Sequence, residues 1–88
     1  MQTLITPVQV WPSSANTLYI RAGNLGPPPA YYYQLQNVSE DGTVSVLKDG
    51  NVNMTEAQWS AWPAGLGPDG DTDYQLTAIA ANLGLTRA

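Results

Sequence analysis

The stretch YYYQLQNVSEDGTVSVLK, residues 31–48, determines the fold that the sequence predicts. Its first half alternates, so that Tyr31, Tyr33 and Leu35 fall on one side of an extended chain and the residues between them on the other. The Asp41–Gly42 step lies between this run and a second alternating run, which favours a tight hairpin turn. We therefore expect a β-meander centred on residues 31–48.

Two further strands are expected towards the N-terminus. Residues 4–11 are apolar and β-branched but include Pro7, which has no N–H for a central ladder, so they predict an edge strand or two short extended pieces. Residues 12–16 have the composition of a turn, and residues 17–22 alternate as a half-buried strand does. The glycine- and proline-rich residues 23–30 are expected to form a stiff connecting loop.

After the hairpin, the sequence predicts a second turn at residues 49–51 and a brief strand at residues 52–54. A short helix is then expected over residues 55–62. It begins with Thr55 and has Gln58 three positions later, the pattern of a capping box in which each side chain satisfies a free backbone N–H of the other.

A C-terminal helix is expected over residues 72–84, after a loop at residues 64–71. Thr72 and Gln75 repeat the capping-box pattern at its start. Four apolar residues at helical spacing form its predicted buried stripe: Leu76, Ile79, Ala80 and Leu83. The Gly84–Leu85 step that follows is typical of a Schellman C-terminus.

The expected fold is therefore α+β and mostly β: a small antiparallel β-sandwich or meander with one short helix and one C-terminal helix. A chain of 88 residues is one domain, and at this size it buries only roughly 60–65% of the surface that its unfolded form exposes. We expect residues 1–54 to supply the β part and residues 55–88 the helical part, packed on the sheet.

Composition argues against several classes of function. The chain contains no histidine and no cysteine, so acid–base catalysis would fall on carboxylates or tyrosines, and we expect no enzyme and no cofactor. Three scattered basic residues and a net charge of −4 do not suit a nucleic-acid partner, which requires clustered Lys and Arg. No apolar stretch reaches the length of a membrane helix, and the N-terminus lacks the pattern of a secretory signal.

The run PDGDTDYQ, residues 68–75, places an aspartate at every second position: Asp69, Asp71 and Asp73. This spacing matches the start of a calcium loop, but that loop also needs a glycine and a glutamate where Tyr74 and Ala81 stand. The three residues are thus a weak metal candidate. A glycosidase pair would need a sugar cleft around the carboxylates. The expectation we favour is that the acids cap the C-terminal helix, whose dipole favours negative charge at the N-terminus.

Aromatic residues are the other candidates for function. Only 11% of the residues are charged, against about 25% in an ordinary soluble domain, and the chain has five Tyr and three Trp. Interface cores are likewise poor in charge and rich in Tyr and Trp, although the same residues also fill cores. Four aromatics are our candidates for interaction with a partner: Trp11, Tyr19, Tyr32 and Trp62. An exposed part of the tyrosine run would alternatively serve as a sugar-stacking platform.

The order of features in the second half resembles a class of small, mostly uncharacterised virion structural proteins of tailed bacteriophages. The resemblance covers residues 41–86: the segment DGTVSVLKDGNVNMTEAQWSAW, then Asp73–Tyr74, then a helix that ends in NLGLT. The loop from Pro63 to Gly70 and the triple proline depart from that pattern.

This resemblance implies a non-enzymatic structural subunit of the virion, assembled in the host cytoplasm, with no active site. It would bind other capsid or tail proteins, as a capsid decoration (cement) protein or as a neck, tail or fibre accessory. Symmetric copies would cover apolar surface that a thin core leaves exposed, so a homo-oligomer is expected. The alternative function is a carbohydrate-binding module that recognises a host surface.

Overall fold

The computed structural model describes residues 1–10, 13–24 and 27–88. Six elements follow one another along the chain: β1 (Gln2–Val10), β2 (Ser13–Asn24), β3 (Ala30–Val38), β4 (Val44–Asn53), α1 (Glu56–Ala61) and α2 (Gly67–Asn82). The four strands form one antiparallel sheet in sequence order. The predicted mostly-β α+β fold is confirmed, and of its two forms the chain adopts the meander.

Strand β1 lies at one edge of the sheet, as Pro7 predicted. The pairing of β1 with β2 is irregular between Leu4 and Val8, and Pro7 lies within this irregular segment. A proline there breaks no ladder that a central strand would need. The outer side of β1 is partly covered by the chain's last residues through three contacts: an Ile5–Arg87 bridge, Thr6 N–H to Thr86 O (2.8 Å) and Ala88 N–H to Leu4 O (3.0 Å).

Two predicted turns belong to strands instead. Strand β2 already begins at Ser13, so the turn expected over 12–16 is wrong for its described residues. Asn16, a turn former by composition, donates through its side-chain amide to Val38 O and accepts from Val38 N–H, both at 2.9 Å. Its polar side chain therefore closes the end of the β2–β3 ladder.

Strand β4 runs unbroken from Val44 to Asn53, so the second turn predicted at 49–51 is also wrong. Gly50 pairs with Tyr33 across the ladder, and a Cβ at Gly50 would lie 3.1 Å from the Tyr33 ring. A side chain at this position would thus require the Tyr33 ring to shift, a constraint that the sequence neighbours of Gly50 do not reveal.

The hairpin between β3 and β4 confirms the predicted Asp-Gly turn. Gly42 has φ +89° and donates to Ser39 O (2.9 Å), while Ser39 N–H donates to Thr43 O (2.9 Å). The Asp41 carboxylate accepts from the Ser39 hydroxyl (2.6 Å) and from Thr43 N–H (2.9 Å). These hydrogen bonds, the one from Ser39 above all, lower the pKa of Asp41 from 3.8 to about 2.

The core lies between one face of the sheet and α2. Tyr31, Tyr33 and Leu35 are buried on this face, as their alternation predicted. The buried residues of α2 pack in the same cluster: Leu76, Ala78, Ile79 and Ala80. The Tyr31 hydroxyl donates to Gln75 Oε1 (2.6 Å), and burial raises the pKa of Tyr31.

Helix α1 confirms the first predicted capping box. Thr55 is the N-cap, its hydroxyl accepts from Gln58 N–H (3.1 Å), and Gln58 Oε1 accepts from Thr55 N–H (3.0 Å). The Gln58 amide also donates to Asn82 Oδ1 (2.9 Å), which joins α1 to the end of α2.

Helix α2 begins at Gly67, not at the predicted Thr72, so residues 67–71 are helix and not loop. Pro68 suits the first turn, where its fixed φ is helical and no N–H is required. The predicted Thr72–Gln75 capping box is wrong, because the Gln75 amide donates to Asp71 O (3.1 Å) while Gln75 Oε1 accepts from the Tyr31 hydroxyl.

The C-terminus of α2 has the predicted Schellman geometry. Gly84 has φ +72° and its N–H donates to Ala81 O (3.0 Å). Leu85 N–H donates to Ala80 O (2.8 Å), and the Leu85 side chain packs against the core.

The two threonines at the expected capping positions should differ in their effect on stability. We expect Thr55→Ala to lower the free energy of unfolding by about 0.5–2 kcal/mol, because it removes an N-cap. Thr72→Ala, inside α2, should leave it unchanged or raise it by at most about 0.7 kcal/mol, since alanine has the higher helix propensity. Urea unfolding of both variants measures the difference. Equal losses would show that Thr72 caps a helix after all.

The hairpin should weaken in acid. Because the pKa of Asp41 is lowered in the folded chain, its stabilisation is complete above the ordinary pKa of 3.8 and is lost as the pH falls towards about 2. We expect the Thr43 amide resonance to move with an apparent pKa near that lower value. Asp41→Asn is the control, because it keeps an oxygen acceptor but does not titrate. A Thr43 transition unchanged by Asp41→Asn would contradict this assignment.

Candidate functional site

The sheet face opposite α2 is a candidate interaction surface. Cross-strand pairing sets which side chains share it, because paired residues point the same way. Nine of its side chains form what we term the open face: Leu4, Tyr19, Arg21, Tyr32, Gln34, Gln36, Val44, Val46 and Asp49. Within residues 1–10, 13–24 and 27–88, neither helix packs on this side, since the buried residues of α2 belong to the cluster on the other face.

A hydrogen-bonded row of polar side chains crosses the centre of the open face. The Tyr32 hydroxyl donates to Asp49 Oδ2 (2.9 Å) and accepts from the Gln34 amide (3.0 Å). The Gln36 amide in turn donates to Gln34 Oε1 (2.8 Å), and the Arg21 guanidinium lies 5.2 Å from the centre of the Tyr32 ring. These polar groups therefore already satisfy one another before any partner arrives.

Apolar side chains flank this row at both edges of the sheet. Leu4 on β1 is 63% exposed, and Val44 and Val46 on β4 are 53% and 51% exposed. Arg21 and Asp49 are the charged members of the open face. The surface is thus apolar at its edges, hydrogen-bonded at its centre and poor in charge.

The structure brings together two of the four aromatic candidates from the sequence. Tyr19 and Tyr32 are half-buried neighbours on the open face, on the adjacent strands β2 and β3. Trp62 lies on the helical side, packed against the core. Trp11 lies outside the described residues.

Trp62 belongs to an aromatic cluster with Trp59 and Tyr74. Its ring stacks on Tyr74, with centroids 5.3 Å apart and planes at 21°, and meets Trp59 edge to face at 5.9 Å and 89°. The indole N–H of Trp62 donates to Asp71 Oδ1 (2.9 Å), and the Tyr74 hydroxyl donates to Gln58 O. Stacking and hydrogen bonding therefore fix the Trp62 ring. We term Trp59, Trp62 and Asp71 the tryptophan corner.

Trp59 stands between two surface grooves. A groove of about 360 Å³ is lined by Trp59, Trp62, Pro63, Ala64, Gly65 and Asp71. A second groove of about 390 Å³ is lined by Pro27, Pro28, Glu56, Trp59 and Ser60. Trp59, which is 43% exposed, was not among the predicted interaction residues. The sequence signal for it was its position three residues before Trp62, which puts both indoles on one face of the short helix.

The three alternate aspartates occupy separate places on α2. Asp69 lies exposed in the first turn, Asp71 accepts from Trp62, and Asp73 pairs with Arg87 at 2.7 Å. The expectation that Asp71 and Asp73 cap the start of the helix is wrong, because α2 starts at Gly67 and both residues lie beyond its first turn. The part of the chain that the structure describes holds no group of three His, Cys, Asp or Glu side chains placed to share a metal ion.

Comparison of the chain with protein-family models, with curated proteins and with solved structures gave no match. In the described ranges, neither helix has both the length and the hydrophobicity that crossing a bilayer requires. What the chain does is therefore inferred from its own surfaces: the open face and the tryptophan corner.

Calcium should not stabilise this chain. Because Asp71 and Asp73 are each bound to a different side chain, we expect millimolar calcium to leave the melting temperature unchanged relative to EDTA. Differential scanning calorimetry measures this directly, with magnesium as the matched control for ionic strength. A calcium-specific rise of many degrees that Asp69→Asn abolishes would restore the metal site.

Proposed function

We propose that the chain is a non-enzymatic structural subunit of a tailed-bacteriophage virion. It binds other virion proteins, as a capsid decoration (cement) protein or as a neck, tail or fibre accessory, and it joins the particle in the host cytoplasm. The observation that carries this proposal is the open face: in the part of the chain that the structure describes, neither helix covers this side of the sheet, and it is poor in charge.

The chemistry of the open face suits contact with protein. Interface centres are depleted in charge and enriched in tyrosine, and the open face has two tyrosines and few charges. Burying polar groups costs free energy only where hydrogen bonds are lost. Tyr32, Gln34 and Asp49 already hydrogen-bond to one another, so these bonds are kept when a partner covers them.

The proposal places the partner on the face of the sheet and not along its free edge. Strand β4 forms that edge, and in the described residues no further strand pairs with its outer side. Its pairing with β3 shifts register around Leu47, and Lys48 follows directly. Bulges and lysines on an edge strand discourage strand addition. The apolar Val44 and Val46 point to the open face instead.

The same features favour a homo-oligomer. A symmetric assembly repeats one surface on every copy, so the open face of one chain would lie against its neighbours around an axis. Nucleic acid is a poor fit as a partner, because the three basic residues are not clustered: Arg21 lies over Tyr32, Lys48 lies on β4, and Arg87, on the helical side, is paired with Asp73.

A carbohydrate-binding module remains the second candidate, and the exposed ring of Trp59 is the observation that favours it. The open face suits this function less, since the Tyr32 hydroxyl both donates and accepts within the chain. A glycan array tests it: binding that is lost in Trp59→Ala or Tyr32→Ala would place this function above the first.

The virion proposal predicts that purified particles contain the chain. We expect mass spectrometry to detect it in gradient-purified virions of the phage that encodes it, in a fixed ratio to the major capsid or tail protein. Immunogold labelling then distinguishes a capsid position from a tail position. The control is the supernatant of the same lysate. A chain found only in the supernatant would contradict the proposal.

Self-association should depend on the open face. We expect light scattering after size exclusion to give a mass above the 9.4 kDa of one chain. Val46→Asp should weaken association by about tenfold or more, because symmetry repeats the new charge at every contact. Ser45→Asp is the matched control, one residue away on the other side of the same strand. Equal effects of the two substitutions would remove the open face from the interface.

A further inference from the structure

We propose that the tryptophan corner binds an arginine side chain presented by an extended segment of a partner protein. This inference goes beyond the structural role proposed above, because it assigns a second binding surface, on the helical side of the chain, to a ligand of defined chemistry. It rests on the angle between two indole rings, on the position of one carboxylate and on the charges around both grooves.

The ring geometry forms a corner and not a flat platform. Trp59 and Trp62 meet at 89°, so a planar group that stacks on one ring meets the edge of the other. Trp62 is held in place by Tyr74 on one side and by Asp71 at its indole N–H. A flat cation such as guanidinium is attracted to an indole face and needs no second coplanar ring.

The carboxylate of Asp71 supplies the matching charge. Trp62 uses Oδ1 of Asp71, and within the described ranges no side chain or backbone group donates to Oδ2. Asp71 lines the same groove as both indoles. A guanidinium stacked in the corner would therefore have a carboxylate oxygen available for a charge-assisted hydrogen bond.

The charges around the two grooves also favour a cationic ligand. Among the described residues that line them, each groove has one carboxylate, Asp71 in the first and Glu56 in the second, and no basic residue. The three basic side chains lie elsewhere: Arg87 is paired with Asp73, Arg21 lies over Tyr32, and Lys48 lies on β4 opposite Leu35. The positive charge that complements this surface must come from the ligand.

The second groove indicates that the arginine belongs to an extended chain. Trp59 borders both grooves, so a segment with its arginine in the corner crosses the exposed indole towards Pro27 and Pro28. An oligosaccharide would instead stack flat against coplanar rings, and the perpendicular arrangement of the two indoles denies it that surface. The geometry thus favours a peptide over a sugar.

The test uses the whole chain and short blocked peptides with a central arginine between two prolines. NMR titration follows the indole N–H signals of Trp59 and Trp62. We expect both signals to shift on addition of the peptide, and added salt should weaken the binding. The same peptide with citrulline, a neutral mimic of arginine, should bind about fivefold more weakly, since cation–π attraction and the ion pair are both lost.

Two matched substitutions separate the site from general charge. Asp71→Asn keeps an oxygen for the Trp62 indole and removes the charge, so it should reduce arginine-peptide affinity about threefold or more. Asp69→Asn removes one charge from the same helix, outside both grooves, and should leave affinity unchanged. Trp59→Ala should abolish the shift of the remaining Trp62 signal. Circular dichroism confirms that each variant retains the fold.

Three results would overturn the proposal: equal binding of the arginine and citrulline peptides, equal effects of Asp71→Asn and Asp69→Asn, or no shift of either indole with the arginine peptide. Cellohexaose forms the comparison arm. Shifts of Trp59 and Trp62 with the sugar and not with the peptide would identify the corner as a glycan site. None of these results bears on whether virions contain the chain, so the two proposals fail separately.

Discussion

The contact of Tyr31 with α2 is the interaction on which the rest of the structure depends. Tyr31 is only 2% exposed, and its hydroxyl is bound by Gln75. Side chains alternate along β3, so burying Tyr31 against the helix turns Tyr32 to the other face. Among the described residues α2 is the long helix, and it packs on the side of the sheet that buries Tyr31. The open face is therefore a direct consequence of where α2 packs.

The same contact accounts for the positions of the acidic residues. Because Gln75 bonds to Tyr31 and to the backbone of Asp71, it cannot reach back to cap a helix start at Thr72. The helix extends to Gly67 instead, and the aspartates become positions along its surface. Asp71 then accepts a hydrogen bond from Trp62, and Asp73 pairs with Arg87. Arg87 also donates to Thr3 Oγ1 on β1 (3.0 Å). A run that looked like a metal site thus connects α2 to the end of α1 and, through Arg87, to β1.

The sequence predicted the features that are set within a few residues of the chain. Alternation placed Tyr31 and Tyr32 on opposite faces, and Thr55 and Gly84 marked true helix ends, because capping and turn hydrogen bonds are local. The wrong predictions have a common physical cause: contacts between residues that are far apart in the sequence. Thr72 with Gln75 matches the pattern of Thr55 with Gln58, and only the distant Tyr31 decides that Gln75 does not cap.

The candidate surfaces divide in the same way. Tyr19 and Tyr32 could be assigned to one face of the sheet once both strands were predicted. Side chains alternate between the two faces along a strand, and paired residues on neighbouring strands share a face. The second groove could not be predicted, because it depends on Pro27 and Pro28 meeting Trp59 across the fold, and the first depends on Asp71 lying in α2 beside Trp62. Once formed, they give the helical side an acidic, aromatic surface, whereas the open face is nearly neutral. A module that only held one glycan would need one such surface. Two surfaces of different chemistry, on different sides of one small domain, instead fit the proposed subunit, which would contact two unlike neighbours at once.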